Sequence, residues 1–207
     1  MLKKFALLAL VVLAATTFVA AQTTDVFYVN YFSNAQNRGG YDATVRIVNP
    51  GTLGSPLSSS EGLICADIYV FDTTQEMLEC CSCPITANGV ATMSVNDDLT
   101  SNPLTNVTLG NGVIKVVASK PAGTKCTGTE LQPNPVTGLR AWATHLQNVY
   151  SDRLAWHDSS LVVTEDGFQV APLSTDELNF LGVSCSFVQY LGSTAGTCTC
   201  GTGGNKV

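Results

Sequence analysis

Three cysteines occupy four positions in "LECCSCP", Leu78 to Pro84. Such crowding admits a redox centre, a metal cage or a covalent staple, and the compartment decides among them. Met1-Leu2-Lys3-Lys4 is a short positive start, Phe5 to Val19 is almost wholly apolar, and small residues precede Gln22. That is the pattern of a secretory signal peptide cut after Ala21. Its apolar run falls short of the roughly twenty residues that span a bilayer. All eight cysteines follow the cut. An even count in an exported chain reads as disulfides. Structural zinc sites space their ligands more widely, and thiol redox centres use C-x-x-C. This chain has C-x-C twice, at Cys81/Cys83 and Cys198/Cys200. The staple is therefore expected.

Strand geometry constrains the staple further. On a strand, Cys81 and Cys83 share one face and Cys80 takes the other. Adjacent Cys80 and Cys81 then reach two different partners. A chain reversal around Thr73 to Gln75 sets Cys65 opposite positions 81 to 84, which makes a bond from Cys65 to Cys81 or Cys83 feasible. A bond from Cys185 to Cys198 or Cys200 would fold the Gly-rich tail back along the preceding segment. Cys126 and the other tail cysteine are left for the remaining early ones. Eight cysteines allow about 105 pairings, so spacing alone leaves the map open.

The mature chain keeps residues 22–207, and Lys3 and Lys4 leave with the signal. Of ten basic residues eight remain against sixteen acidic, a net charge of −8. Nucleic acid and anionic membranes attract clustered Lys and Arg, so both are excluded as partners. No membrane insertion is expected after signal cleavage. Charged residues make up only 13% and hydrophobic ones 45%, which fits a packed globular chain and excludes a disordered stalk.

Short runs rich in β-branched and aromatic residues alternate with Gly/Asn/Ser/Pro loops. "VFYVNYF" from Val26 is apolar on both faces and suits a buried strand. "YDATVRIV" ends sharply at Asn49-Pro50-Gly51. In "LICADIYVFD", Ile64, Ala66, Ile68 and Val70 share one face, and Cys65, Asp67, Tyr69 and Phe71 the other. "MLECCSCPI", "VATMSV" and "VIKVVAS" continue the pattern, and "SLVVTEDGF" adds a short strand. "LRAWATHLQNVY" fits a helix or a strand, with its strand neighbours favouring the latter. One helix is clear, after Ser174. Ser174 and Glu177 form a capping-box pair, Leu178, Leu181, Cys185, Val188 and Leu191 fall on one face, and Gly192 ends it.

The pattern predicts a mainly β fold, an antiparallel β-sandwich (Ig-like or similar) with one C-terminal α-helix, stapled by disulfides. Residues 1–21 form the signal peptide, 22–172 the sandwich, and 173–207 a helix and disulfide-tethered tail packed on the same domain.

Catalytic signals are few. The two histidines, His145 and His157, each follow a tryptophan and read as surface or loop residues. There is no G-x-S-x-G elbow. Carboxylates at Glu76 and Glu79, Asp97-Asp98, Glu165-Asp166 and Asp176-Glu177 are adjacent in sequence, which does not set two of them across a cleft. "NDDLTSN" offers oxygens that suit calcium but lacks EF-hand spacing. "NVT" at Asn106 fits a glycosylation acceptor.

The stretches "ADIYVFDTTQEMLECCSCPIT", "DLTSNPLT", "LRAWATH" and "APLSTDEL" resemble a family of secreted, cysteine-rich bacterial proteins of acidobacterial type. The resemblance covers most of the mature chain. It implies export from a bacterium and carries no functional residues with it.

The expected function is that of a secreted, non-enzymatic structural or interaction protein of the cell surface or extracellular space, an adhesive or filament subunit among the options. Protein partners or self-association are expected, with no catalytic residue, cofactor or metal ligand. Val26, Phe27, Tyr28, Val29, Tyr31 and Phe32 form a candidate assembly strand, apolar on both faces and close to the new N-terminus. Two alternatives remain open. One is a carbohydrate-binding module or hydrolase with Trp142, Trp156 and Asp97 around a loop site. The other is a calcium-dependent binder. The disulfide candidates are Cys65, Cys80, Cys81, Cys83, Cys126, Cys185, Cys198 and Cys200.

Overall fold

The computed structural model describes residues 25–34, 41–54, 61–105, 109–127, 134–150 and 159–201. The signal segment, Asn106, Trp156 and His157 lie outside these residues. Alternating sequences become strands throughout: β1 (Phe27–Ser33), β2 (Thr44–Val48), β3 (Ile64–Phe71), β4 (Met77–Ile85), β5 (Val90–Ser94), β6 (Asn111–Ser119), β7 (Arg140–Tyr150), β8 (Ser159–Gly167) and β9 (Gln169–Val170). A helix, α1 (Thr175–Gly192), and a short strand, β10 (Ser193–Gly196), follow. The ambiguous segment after Leu139 is strand β7, and β8 lies within one residue of where "SLVVTEDGF" places a strand.

Two antiparallel sheets form the sandwich. One runs β4-β3-β6-β1-β9 and the other β5-β2-β7-β8. The two faces of β3 behave as their alternation requires. Ile64, Ala66, Ile68 and Val70 point between the sheets, among Val45, Ile47, Ala91, Met93, Ile114 and Leu139. Tyr69 and Phe71 point the other way and meet Leu181, Cys185 and Val188 of α1. The molecule is thus three layers deep: sheet, sheet, helix. Each large aliphatic buried here stabilises by about 1.5–3 kcal/mol.

Helix α1 starts where its cap predicts. Ser174 Oγ accepts the Glu177 N–H at 3.0 Å. The reciprocal half of the capping box is not the role of Glu177, whose Oε1 takes Lys115 Nζ at 2.7 Å and ties the helix start to β6. Leu181, Cys185 and Val188 are buried as expected, whereas Leu191 is 52% exposed and belongs to the outer face. Among the described residues, no helix is long and apolar enough to cross a membrane.

The cysteines form four disulfides, Cys65–Cys126, Cys80–Cys185, Cys81–Cys198 and Cys83–Cys200, and none is free. Such a set suits an oxidising compartment outside the cytoplasm. Cys81 and Cys83 do face the sandwich core, and Cys80 faces the helix. The two expected pairings are corrected. Cys65 sits opposite Pro84 as the hairpin requires, but its side chain lies on the face away from Cys81 and Cys83 and reaches Cys126 in the loop after β6. Cys185 bonds Cys80 across the sheet–helix layer, which leaves both tail cysteines for Cys81 and Cys83.

Candidate interaction surface

The first question for a sandwich is what becomes of its sheet edges, because an open strand edge presents unpaired N–H and C=O groups to other chains. Edge strand β4 is closed by the tail. Thr197 bridges to Cys80 in parallel, Cys198 N donates to Cys80 O at 3.3 Å, and the two C-x-C pairs bolt this contact covalently. The tail then crosses to the second sheet. Thr199 N and Oγ1 donate to Asp98 O and Oδ1 at 2.8 and 2.6 Å, and Gly201 lies so close to Thr92 of β5 that a Cβ there would collide with its carbonyl. One strip of tail therefore seals the side of the sandwich where β4 and β5 end. The crowded cysteines of "LECCSCP" are thus staples, and two of them anchor an edge cover.

The opposite side is closed by β1 and β7. Arg140 meets Asp25 at 2.9 Å, Ser33 Oγ donates to Leu146 O at 2.8 Å, and Asn34 bridges to Leu146. His145 completes the seam. It is wholly buried, contrary to the surface or loop position its neighbours suggested, because β7 turns its side chain in toward β1. Its ring stacks on Tyr31 at 3.9 Å and 9°, and its Nε2 lies 3.0 Å from Tyr31 O. A carbonyl only accepts, so Nε2 carries the proton. Nδ1 has no hydrogen-bond partner and lies 4.0 Å from Asp166 Oδ2. This histidine is committed to holding two strands together.

The candidate assembly strand is held within its own chain. β1 pairs with β6 over its whole length, from Phe27↔Val117 to Ser33↔Asn111, and with β9 at Tyr28 and Val29. Phe27, Tyr28 and Phe32 are buried, Val26 sits at the margin of the helix-side core, Val29 packs against that core, and Tyr31 is 42% exposed. Desolvation pushes the Tyr28 hydroxyl up to about 12, with Arg140 opposing and Asp25 reinforcing the rise.

The remaining long edge is β8. It pairs with β7 over nine residues, from Trp142↔Gly167 to Tyr150↔Ser159, and among the described residues no strand pairs with its other side. Leu161 packs against the core, while Val162 and Val163 are 37% and 59% exposed. Neighbouring strand residues face opposite ways. Exposure of both valines therefore leaves both faces of β8 open to solvent at this point, while β7 beside them stays in the core through Leu146, the cross-strand partner of Val163. Charge appears only toward its end, where Glu165 meets Arg46 at 3.3 Å and Asp166 follows.

The other groups singled out in the sequence are dispersed or already engaged. Trp142 is on the outward side of β7, and Asp97 lies in the helical turn Val95–Leu99 that follows β5. An open cleft of ≈510 Å³ at the start of α1 is lined by Val26, Lys120, Val136, Leu173, Ser174 and Leu178, and contains neither of them. The acidic loop that suggested calcium is built as a cap. Asp98 Oδ2 accepts the Ser94 N–H at 2.8 Å, Asp98 Oδ1 takes Thr199, Asp42 Oδ1 accepts the Asn96 N–H at 3.1 Å, and Asp42 Oδ2 takes the Ser94 hydroxyl. Burial raises the Asp42 carboxyl, against the pull of those same donors. Among the described residues, no group of three His, Cys, Asp or Glu side chains is placed to hold a metal ion.

Two surfaces escape a reading of the sequence alone: the β8 edge and the outer face of α1. Both had a signal. "SLVVT" has no alternation, and "FLGVSCSFVQYL" is apolar at helical spacing on two faces at once. No protein-family model, curated protein or solved structure gives a significant match to this chain.

Proposed function

We propose that this chain is an exported, non-enzymatic structural or interaction protein that joins other protein subunits by strand addition at β8. The observation that carries this reading is the contrast among the sheet edges. β4 is covered by a tail under two disulfides, β5 is touched by the same tail, and β9 is two residues long. Among the described residues, only β8 offers a long open ladder, with Val162 and Val163 exposed for a partner strand. An added strand takes its affinity from main-chain hydrogen bonds and its specificity from alternate side chains. Four disulfides support a role outside the cell, where an oxidising environment keeps them formed. The acidic surface keeps the free subunit soluble.

The test is assembly of the oxidised mature chain, followed by light scattering and electron microscopy. Ordered particles larger than a dimer are expected. The double variant Val162→Lys/Val163→Lys places charge on the open edge and is expected to abolish them while the melting temperature holds. Wild-type protein that stays monomeric, or assembly indifferent to the two lysines, would overturn strand addition at β8.

A further inference from the structure

The outer face of α1 is apolar where a solvated helix would be polar. Phe180, Val183, Phe187, Tyr190 and Leu191 are 48%, 59%, 59%, 85% and 52% exposed. Their spacing of three, four, three and one keeps them on one stripe, opposite the buried Leu181, Cys185 and Val188. The stripe is fixed in place, because Cys80–Cys185 bonds the helix to β4 and Phe180 leans on Phe71 at 6.2 Å between ring centres. From Leu178 to Gly192 the helix has no charged residue.

We infer that this stripe is a self-association surface, packed antiparallel against the same stripe of a second copy about a two-fold axis. Three observations select that occupant. First, the spacing is that of successive core positions in paired helices, which interlock as knobs in holes. Second, charge excludes the other arrangements. A lipid surface favours helices flanked by Lys or Arg, and this helix carries only Asp176 and Glu177, at its start. A parallel pairing would set two Asp176 side chains together. An antiparallel pairing centred between Val183 and Phe187 moves each Asp176 out past the partner's Leu191. It also brings together two copies of an acidic protein across an uncharged strip. Third, the area suffices. With aromatic side chains of about 150–250 Å² each, the exposed parts of the stripe amount to roughly 600 Å². That is the upper end of apolar patches on monomers and most of the ~800 Å² per partner in a standard interface.

The pairing rests on the structural role proposed for the chain, names a second copy as one partner, and uses a surface separate from β8. A two-fold dimer of this kind presents two β8 edges, so strand addition at each would extend it into a chain.

Sedimentation equilibrium of the oxidised mature chain tests it. Wild type is expected to dimerise. Phe187→Glu and, separately, Val183→Glu are expected to weaken the dimer by about 30-fold or more, as truncation of a central anchor does. Both side chains are mostly exposed, so the circular dichroism and the disulfide map should not change. A wild type that stays monomeric at its highest soluble concentration overturns the inference, as does a dimer that survives both variants together. Flotation of a monomeric wild type with phosphatidylcholine vesicles, lost in Phe187→Glu, also overturns it in favour of a lipid surface. The Val162→Lys/Val163→Lys variant separates the two interfaces. A dimer lost there but kept in Phe187→Glu places association at β8 and removes it from α1.

Discussion

Glu79 Oε1 accepts the Asn102 N–H at 2.8 Å inside the fold, while Glu79 Oε2, equally buried, has no hydrogen-bond partner. The side chain is fully enclosed. It lies on the face of β4 that carries Cys81 and Cys83, and it supports the loop that receives the tail. Asn102 O accepts the Gly196 N–H at 2.6 Å, and Asn102 Nδ2 donates to Thr194 O at 2.6 Å. Desolvation raises the carboxyl from 4.5 to about 7, partly opposed by the Asn102 amide.

That rise sets a pH dependence. The folded chain holds a proton on Glu79 at pH values where the unfolded chain has lost it, so the stabilisation is complete below about 4.5 and is lost as pH rises through about 7. The loss is on the order of 3 kcal/mol, since each tenfold change in proton affinity is worth about 1.4 kcal/mol. Asp42 is also raised by burial and adds a slope of the same sign. Denaturant midpoints from pH 4 to 8 should therefore fall with pH in wild type. In Glu79→Gln the curve should flatten over this window and lie above wild type at pH 8. An unchanged slope in the variant would show that Glu79 is ionised in the fold.

The disulfide map predicts unequal consequences for the tail and the loop. Cys81–Cys198 and Cys83–Cys200 each close a separation of 117 residues and together hold the cover over β4. Cys81→Ser with Cys198→Ser should cost about 2–5 kcal/mol. Removing both tail bonds should also free the β4 edge and increase aggregation. Cys65–Cys126 closes 61 residues and anchors only the loop after β6, so its removal should leave the edge covered. Non-reducing peptide mapping checks the pairing, and light scattering during refolding checks the edge.

Much of this architecture is legible from periodicity alone. The alternation of β3 separates core-facing Ile64, Ala66, Ile68 and Val70 from helix-facing Tyr69 and Phe71, and the fold follows it residue by residue. The faces of Cys80, Cys81 and Cys83 are legible for the same reason. Their partners are not, since pairing depends on which segments lie side by side. A hint is present. Two C-x-C motifs with equal separations of 117 residues are what two extended segments running parallel and in register produce. The burial of Glu79 is also encoded, because strict alternation sets it on the face of Cys81 and Cys83. The burial of His145 is not, because it arises where β7 runs past the end of β2 and meets β1, a contact between residues far apart in sequence.

Close packing between β6 and its neighbours gives a third prediction. A Cβ on Gly112 would collide with the Phe71 carbonyl oxygen and with the Phe32 ring. The carbonyl belongs to the backbone of β3 and the ring is fully buried, so neither yields without moving the core. Gly112→Ala should destabilise by about 1–3 kcal/mol, the usual cost of overpacking. Gly123 has φ +67° with open space around it. There alanine meets backbone strain alone, about 1 kcal/mol. Thermal melts of the two variants should rank Gly112→Ala well below Gly123→Ala.

The seam between β1 and β7 supplies the last prediction. His145 fills buried volume against Tyr31 and donates through Nε2 to the Tyr31 carbonyl, whereas Gln147 reaches the Tyr31 hydroxyl at 2.8 Å on the exposed side. His145→Ala would empty that volume and leave the carbonyl without its donor. The two effects together should cost about 2–4 kcal/mol. His145→Gln keeps a donor of similar reach and should recover part of the loss. Gln147→Ala removes a solvent-exposed bond and should fall within about 0.5 kcal/mol of wild type. If His145→Ala were as mild as Gln147→Ala, the buried histidine would not be what closes the two sheets on that side. The clasp of Arg140 on Asp25 and of Ser33 on Leu146 would then carry the seam.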